Sequence, residues 1–282
     1  MSVEAGMRWA ELALLLAAQK QMIPLDPPFF DEATVGGVVA AGAAGPRRRL
    51  YGSVRDAVIG MKFATLEGKL VQAGGMVVKN VAGLDMSKLM IGSFGTLAAM
   101  AVVNFKLSPQ PPETRTFLSR FEKAADALAS RDAILQGVLH PAAVDLLNPA
   151  AAERVGLHGF CLLLSAGGSP AVMARYGREI GQGTEELDNS IWDRIREFTP
   201  AYLRAFPQGG VVRISTTLGG IGKVLQSFEE PVVSRAGTGV SYVYFSEASA
   251  ARLQGMKGVI EFAPDPVKRS LDLWPAPGSD LR

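Results

Sequence analysis

The chain has 282 residues, 48% of them apolar and 20% charged, with 31 Gly, 17 Pro, one Cys and two His. At roughly 100–200 residues per domain this is one large or two modest domains with material for a packed core, and 29 Lys+Arg against 27 Asp+Glu identify neither a nucleic-acid binder nor a polybasic membrane protein. A single Cys161 excludes an intrachain disulfide or a multi-cysteine cluster within this chain, His140 and His158 leave little for a zinc site, and no apolar run approaches the ~20 residues that span a bilayer.

The chain opens on a strand-like Val3–Gly6. Trp9, Leu12, Leu15 and Leu16 follow at helical spacing. That start, and a last stretch from Pro275 that leads nowhere, are expected either of a fold compact without further parts or of a fragment. Residues 26–45 read DPPFFDEATVGGVVAAGAAG. Thr34 is placed to cap a helix whose first turn holds Gly36 and Gly37, each costing about 1 kcal/mol of helix propensity against Ala. Two readings fit equally well. Free amides and the positive end of the helix make an anion site for a phosphate or pyrophosphate; alternatively the glycines let a helix pack closely. Ala57–Thr65 and Lys69–Ala73 flank Leu66-Glu67-Gly68 and predict a hairpin. Asp85 is expected to cap a short helix over 86–91, and Ala98–Leu107 reads as a long apolar strand. Ser108-Pro109-Gln110-Pro111-Pro112 cannot continue a sheet and marks a domain boundary, giving domains 1–110 and 113–282.

The second domain predicts strands over Phe117–Phe121, Val144–Leu147 and Phe160–Ser165, with helices over 122–134 and 169–180. Residues 189–199 carry Trp192, Ile195 and Phe198 at helical spacing and join this series to the next. That one runs strand 211–216, helix 219–228, strands 232–236 and 240–245, helix 246–256, strand 258–262. The order βαββαβ is the ferredoxin-like arrangement. Two such halves are expected to form one antiparallel sheet with helices on one face, so the fold class is α+β.

Several groups have a bland reading beside a functional one. Arg47-Arg48-Arg49 faces a phosphate or a partner subunit, or is a solvated loop, the reading that charge runs favour. Arg55 suits a substrate carboxylate, or pairs with Asp56. Neither His has an acid beside it to orient it as a general base. Cys161 lies in an apolar strand and reads as a core thiol. Gly167-Gly168-Ser169 and Gly219–Gly222 read as helix-start turns.

The order of the motifs carries more than any one of them. ATVGG, then YGSVRD (Tyr51–Asp56), a hairpin, KNVAGLDMSKLM (Lys79–Met90), GSFGTL (Gly92–Leu97) and an apolar strand together resemble the FAD-binding domain of the vanillyl-alcohol-oxidase, or PCMH-type, flavoprotein family. The wording is nearest to the FAD-binding subunits of bacterial glycolate oxidases. The resemblance is strong over residues 2–112. Beyond them it rests on RAGTG (Arg235–Gly239) and LWPAPG (Leu273–Gly278).

The resemblance implies a partial PCMH-type domain and a cap domain with ferredoxin-like repeats. It implies FAD as cofactor, its pyrophosphate on the backbone of Thr34, Val35, Gly36 and Gly37. Pro27 would lie beside the flavin, Ala40 and Gly45 along the cofactor, and the backbone near Met100 against the adenine. It departs from the family in lacking the earlier Arg-Gly-Gly-Gly-Thr-like loop and the C-terminal tail. It further implies oxidation of a small 2-hydroxy acid, glycolate to glyoxylate, with a second flavoprotein subunit and an iron–sulfur subunit as partners and no nucleic acid. The expected location is cytoplasmic, at the inner face of the membrane. The single cysteine leaves any cluster to a partner, and the absence of an oriented base assigns the main chemistry to the companion flavoprotein. Two alternatives stand: an interaction subunit that binds no FAD, and a stand-alone dehydrogenase of D-lactate type.

Overall fold

A computed structural model describes residues 1–75, 85–181 and 183–271. The chain divides into two compact units, Met1–Glu113 and Thr114–Arg282.

The first unit runs β1 (Ser2–Glu4), α1 (Trp9–Ala17), β2 (Gln21–Met22), α2 (Val35–Ala41), α3 (Arg48–Tyr51), α4 (Val54–Ala57), β3 (Val58–Ala64), β4 (Leu70–Gly74), α5 (Met86–Met90), β5 (Ala99–Phe105) and β6 (Ser108–Pro109). Four strands form an antiparallel sheet in the order β1-β5-β3-β4, and β2 pairs with β6. Helix α1 buries Trp9, Leu12 and Leu16, one stripe at three- and four-residue spacing. Leu15, expected on that stripe, is exposed. The valines of α2, Val35, Val38 and Val39, join the same core as Met61, Phe63 and Phe105 of the sheet. Gly42 ends α2 in the left-handed region at φ 66° and returns its amide to Val38 and Val39 carbonyls, the usual helix stop.

The second unit runs β7 (Glu113–Phe121), α6 (Ala124–Gln136), β8 (Ala143–Leu147), α7 (Pro149–Arg154), β9 (Phe160–Gly168), α8 (Pro170–Glu179), β10 (Thr184–Leu187), α9 (Ile191–Arg196), α10 (Phe198–Ala205), β11 (Gly210–Ser215), a 3₁₀ turn (Leu218–Gly220), α11 (Ile221–Ser227), β12 (Val232–Arg235), β13 (Val240–Phe245), α12 (Ala250–Leu253), β14 (Val259–Phe262) and α13 (Asp265–Arg269). Its eight strands lie in the order β10-β7-β9-β8-β12-β13-β11-β14. Read within each half, that is fourth-first-third-second, then its mirror image: two ferredoxin-like βαββαβ units joined through their second strands, β8 to β12.

The helices do not keep to one face. Val144 and Leu146 of β8 and Leu162 and Leu164 of β9 pack with residues of α6, α8 and α11. Their alternating neighbours Leu147, Cys161 and Leu163 pack with α7, α9 and α10. The whole of β8 is buried, so AVDLL and FCLLL read as continuous apolar runs because both sheet faces are covered. An aromatic cluster of Phe198, Tyr202 and Tyr244, with ring centroids 4.7–6.3 Å apart, fixes α10 to the second face.

Cys161 is a core thiol of that face. Burial pushes its pKa up to about 11, against a weaker downward pull from Arg120 and the His158 carbonyl. Alkylation requires the thiolate, so at pH 8 native protein is expected to resist iodoacetamide over hours and to label once in denaturant. Labelling of native protein as fast as a free thiol would show that this face opens.

Candidate functional site

The turn that enters α2 is built on the end of β1. Thr34 takes an extended backbone and its hydroxyl accepts from the Gly37 amide at 3.1 Å. The Val35 amide donates to the Met7 carbonyl at 2.9 Å, the Gly36 amide to the Ala5 carbonyl at 2.8 Å, and the Val38 amide to the Thr34 carbonyl at 2.9 Å. Of Thr34, Val35, Gly36 and Gly37, the residues expected to hold the pyrophosphate, the last three have amides already bonded within the protein, on a helix only seven residues long. The reason is local: the bend after Glu4 turns the Ala5 and Met7 carbonyls toward α2, and a helix start uses the nearest acceptors.

The same turn keeps an open surface. Gly36 faces β1, where an added Cβ would lie 3.0 Å from that of Ala5, but at Gly37 it would meet only the Thr34 hydroxyl, at 3.2 Å. Gly37 and Ala41 are exposed and Ala40 is half-buried. A bulky ligand can reach main chain here. The turn thus offers exposed main chain at Gly37 and Ala41.

Asp26 is held against the chain that leaves α2, its amide donating to the Ala44 carbonyl at 3.1 Å. Arg47 grips Asp26 with Nε at 2.8 Å from Oδ2 and Nη2 at 2.6 Å from Oδ1. Burial works against the Arg47 charge, but Asp26 outweighs it and holds the guanidinium above its ordinary pKa. Arg47 is thus a clamp, not part of a solvated run. Pro27 is buried. Gly45, at φ 74°, lies where an added Cβ would be 2.3 Å from the Asp26 carbonyl oxygen: it is small because the Asp26 chain crosses it. Ala40 gives its carbonyl to the Phe94 amide at 2.9 Å, seating the 92–97 loop on α2. Met100 pairs with Phe63 in the sheet and packs half-buried on the core.

Tyr51–Asp56 is a structural joint. Ser53 and Asp56 form a capping box that starts α4, and hydrogen bonds from the Ser53 backbone, opposed by a small desolvation, hold the Asp56 carboxyl below its ordinary range. Arg55 donates to the Lys88 carbonyl at 3.0 Å and Lys88 returns its ammonium to the Arg55 and Val58 carbonyls. Among the described residues Arg55 is thus tied to Lys88 and not to Asp56. Residues 79–84 of the KNVAGLDMSKLM motif, and LWPAPG, lie outside the described residues. His140 and His158 are exposed, and among the described residues no group of three or more His, Cys, Asp and Glu could hold a metal.

Sequence reasoning missed a row of charge across the second unit's sheet. Asp145 (β8) pairs with Arg235 (β12), whose guanidinium lies 5.7 Å from the centroid of Tyr242 (β13). Tyr242 is the register partner of Arg213 (β11), which meets Glu261 (β14) at 2.5 Å. The signal was available: one ionisable residue interrupts each apolar strand, in AVDLL, VVSR, GVVRIS and VIEF.

The comparisons match this architecture. Residues 1–74 match the family model of the FAD binding domain. The chain is 38% identical to glycolate oxidase subunit GlcE of Escherichia coli K12 over 189 residues, 64% of this chain and 48% of that protein. It is 29% identical to glycolate oxidase subunit GlcD of Bacillus subtilis over 52% of this chain and 31% of that protein. The solved structure of alkyldihydroxyacetonephosphate synthase superposes with TM-score 0.67, covering 86% of this chain and 56% of that one at 16% identity, and so shares the fold. Residues 1–74 of the first unit thus resemble an FAD binding domain, and the chain is similar to glycolate oxidase subunits over 52–64% of its length. It spans about half or less of the length of the glycolate oxidase subunits it matches. No helix among the described residues is long and apolar enough to cross a membrane.

Proposed function

We propose that the chain is the FAD-binding subunit of a glycolate oxidase, acting in a complex with a second flavoprotein subunit and an iron–sulfur subunit. The similarity to a glycolate oxidase subunit over 64% of the chain carries this reading. Bound FAD supplies a two-electron acceptor for the hydride that leaves a 2-hydroxy acid as its hydroxyl proton goes to a base. This chain's own contribution is a platform. Gly37, Ala40 and Ala41 present near-bare main chain to the cofactor, and the Arg47–Asp26 clamp fixes the segment that carries Pro27. Small side chains at Ala40 and Gly45 and the start of β5 at Met100 complete the surface. No described histidine is oriented as a base, which supports assigning proton abstraction to the companion subunit and an electron-transfer or structural role to this one.

The closed amides of Val35–Val38 favour a second reading, in which the chain on its own holds FAD weakly or not at all and serves as an interaction subunit. Titration of the purified chain with FAD, followed by quenching of flavin fluorescence, separates the two. Saturable binding, weakened at least tenfold in Gly37→Val with little change in thermal stability, is the expected result. Unchanged affinity in Gly37→Val would remove the platform from α2. No binding by the wild type, with glycolate-dependent dye reduction by the complex unchanged when this chain is omitted, would overturn the function itself.

A further inference from the structure

We propose that a cavity at the edge of the second unit's sheet is a binding site for a small multivalent oxyanion, a carboxylate or a phosphate. The cavity measures about 880 Å³, within the range of small-molecule sites. Arg213 and Ser215 line it from β11, Lys257 from the loop before β14, and Arg269 from the end of α13. Three cations thus face one space whose described lining contains no Asp or Glu.

Arg213 is built for the task. Glu261, outside the lining, takes only its Nε, at 2.5 Å. That bond and the half-buried position, 30% exposed, fix the plane of the guanidinium. Both of its Nη groups are left with no protein acceptor among the described residues, and a fixed planar fork matches two oxygens of one oxyanion. Lys257 and Arg269 have no described acceptor either, so the charge they add is not neutralised among the described residues. The exposed Ser215 offers a hydroxyl on the same wall. The neighbouring Arg235 is more deeply buried, pairs with the buried Asp145 and does not line the cavity. The site stands apart from the flavin reading, because no residue of the first unit takes part.

The test uses the full chain without added flavin, titrated at low salt with oxalate and with inorganic phosphate in a calorimeter. Saturable one-to-one binding of at least one probe is expected, weakening as sodium chloride is raised because the contacts are ionic. Arg213→Gln is expected to weaken it more than tenfold, and Lys257→Gln and Arg269→Gln three- to tenfold each. Lys123→Gln, remote in sequence and outside the lining, should bind as wild type. Preference for oxalate identifies a carboxylate ligand and preference for phosphate a phosphorylated one; both support the site. Should Arg213→Gln fail to fold, the exposed Arg269 carries the test. No saturable heat with either probe, or equal affinity in Arg269→Gln and wild type, overturns the proposal.

Discussion

Asp145→Ala is expected to destabilise the second unit by about 3–5 kcal/mol, the usual effect of removing one partner from a buried ion pair. Asp145 is fully buried on β8, and the register that sets Ser234 opposite Leu146 brings Arg235 alongside it. Burial opposes the Arg235 charge, but Asp145, then Tyr242 and Tyr244, more than offset that and keep the guanidinium above its ordinary pKa. Without Asp145 the cation stays in the sheet with only the Tyr242 ring for company. An exposed pair such as Arg175–Glu179 contributes about 0.3–0.5 kcal/mol, so the two cases differ by roughly an order of magnitude. The measurement is urea unfolding, with hydrogen exchange of the β8 and β12 amides to place the loss. Asp145→Leu with Arg235→Met should recover most of the stability, since an apolar pair of similar size removes the unmet charge. A wild-type midpoint for Asp145→Ala would mean that the pair adds nothing net.

That pair also marks where the sequence could be read and where it could not. Strands β3, β5, β9 and β11 and their turns follow from composition and alternation, because local chemistry sets them. The Leu66-Glu67-Gly68 hairpin needs a left-handed residue, and Gly68 supplies it at φ 74°. The expectation of helices on one face failed for a reason the same sequence contained: FCLLL has no polar alternation, so neither side of β9 meets water. Strand β10, Thr184–Leu187, went unseen because its Glu185 and Glu186 are exposed on a sheet edge and give no apolar signal. Long-range partners are the harder class. Nothing within five residues of Arg47 indicates Asp26, and nothing near Gly36 indicates that Ala5 lends it a carbonyl. A glycine-rich helix start looks the same whether its amides are open or spent. Only the fold, by bringing the chain after β1 under α2, decides.

Gly45→Ala separates the two meanings a glycine can have in this domain. The substitution places a methyl 2.3 Å from the Asp26 carbonyl oxygen and 2.6 Å from its Cβ, at a residue held at φ 74°. The left-handed backbone costs an L-residue about 1–2 kcal/mol, and forcing a methylene-sized group into filled space about 1–3 kcal/mol more. The first unit should therefore lose about 2–5 kcal/mol. The Asp26 backbone must move, and with it the carboxylate that Arg47 grips and the buried Pro27, so any FAD affinity should fall together with stability. Gly37→Val is the counterpart: Gly37 is exposed and an added Cβ meets only the Thr34 hydroxyl, at 3.2 Å, so a loss of cofactor with a smaller loss of stability is expected. Paired melting curves and FAD titrations of the two variants thus distinguish a glycine required by the protein's own crossing chain from one required by a ligand. If Gly45→Ala melted as wild type while losing FAD, Gly45 would belong to the cofactor surface and the Asp26 crossing would be free to yield.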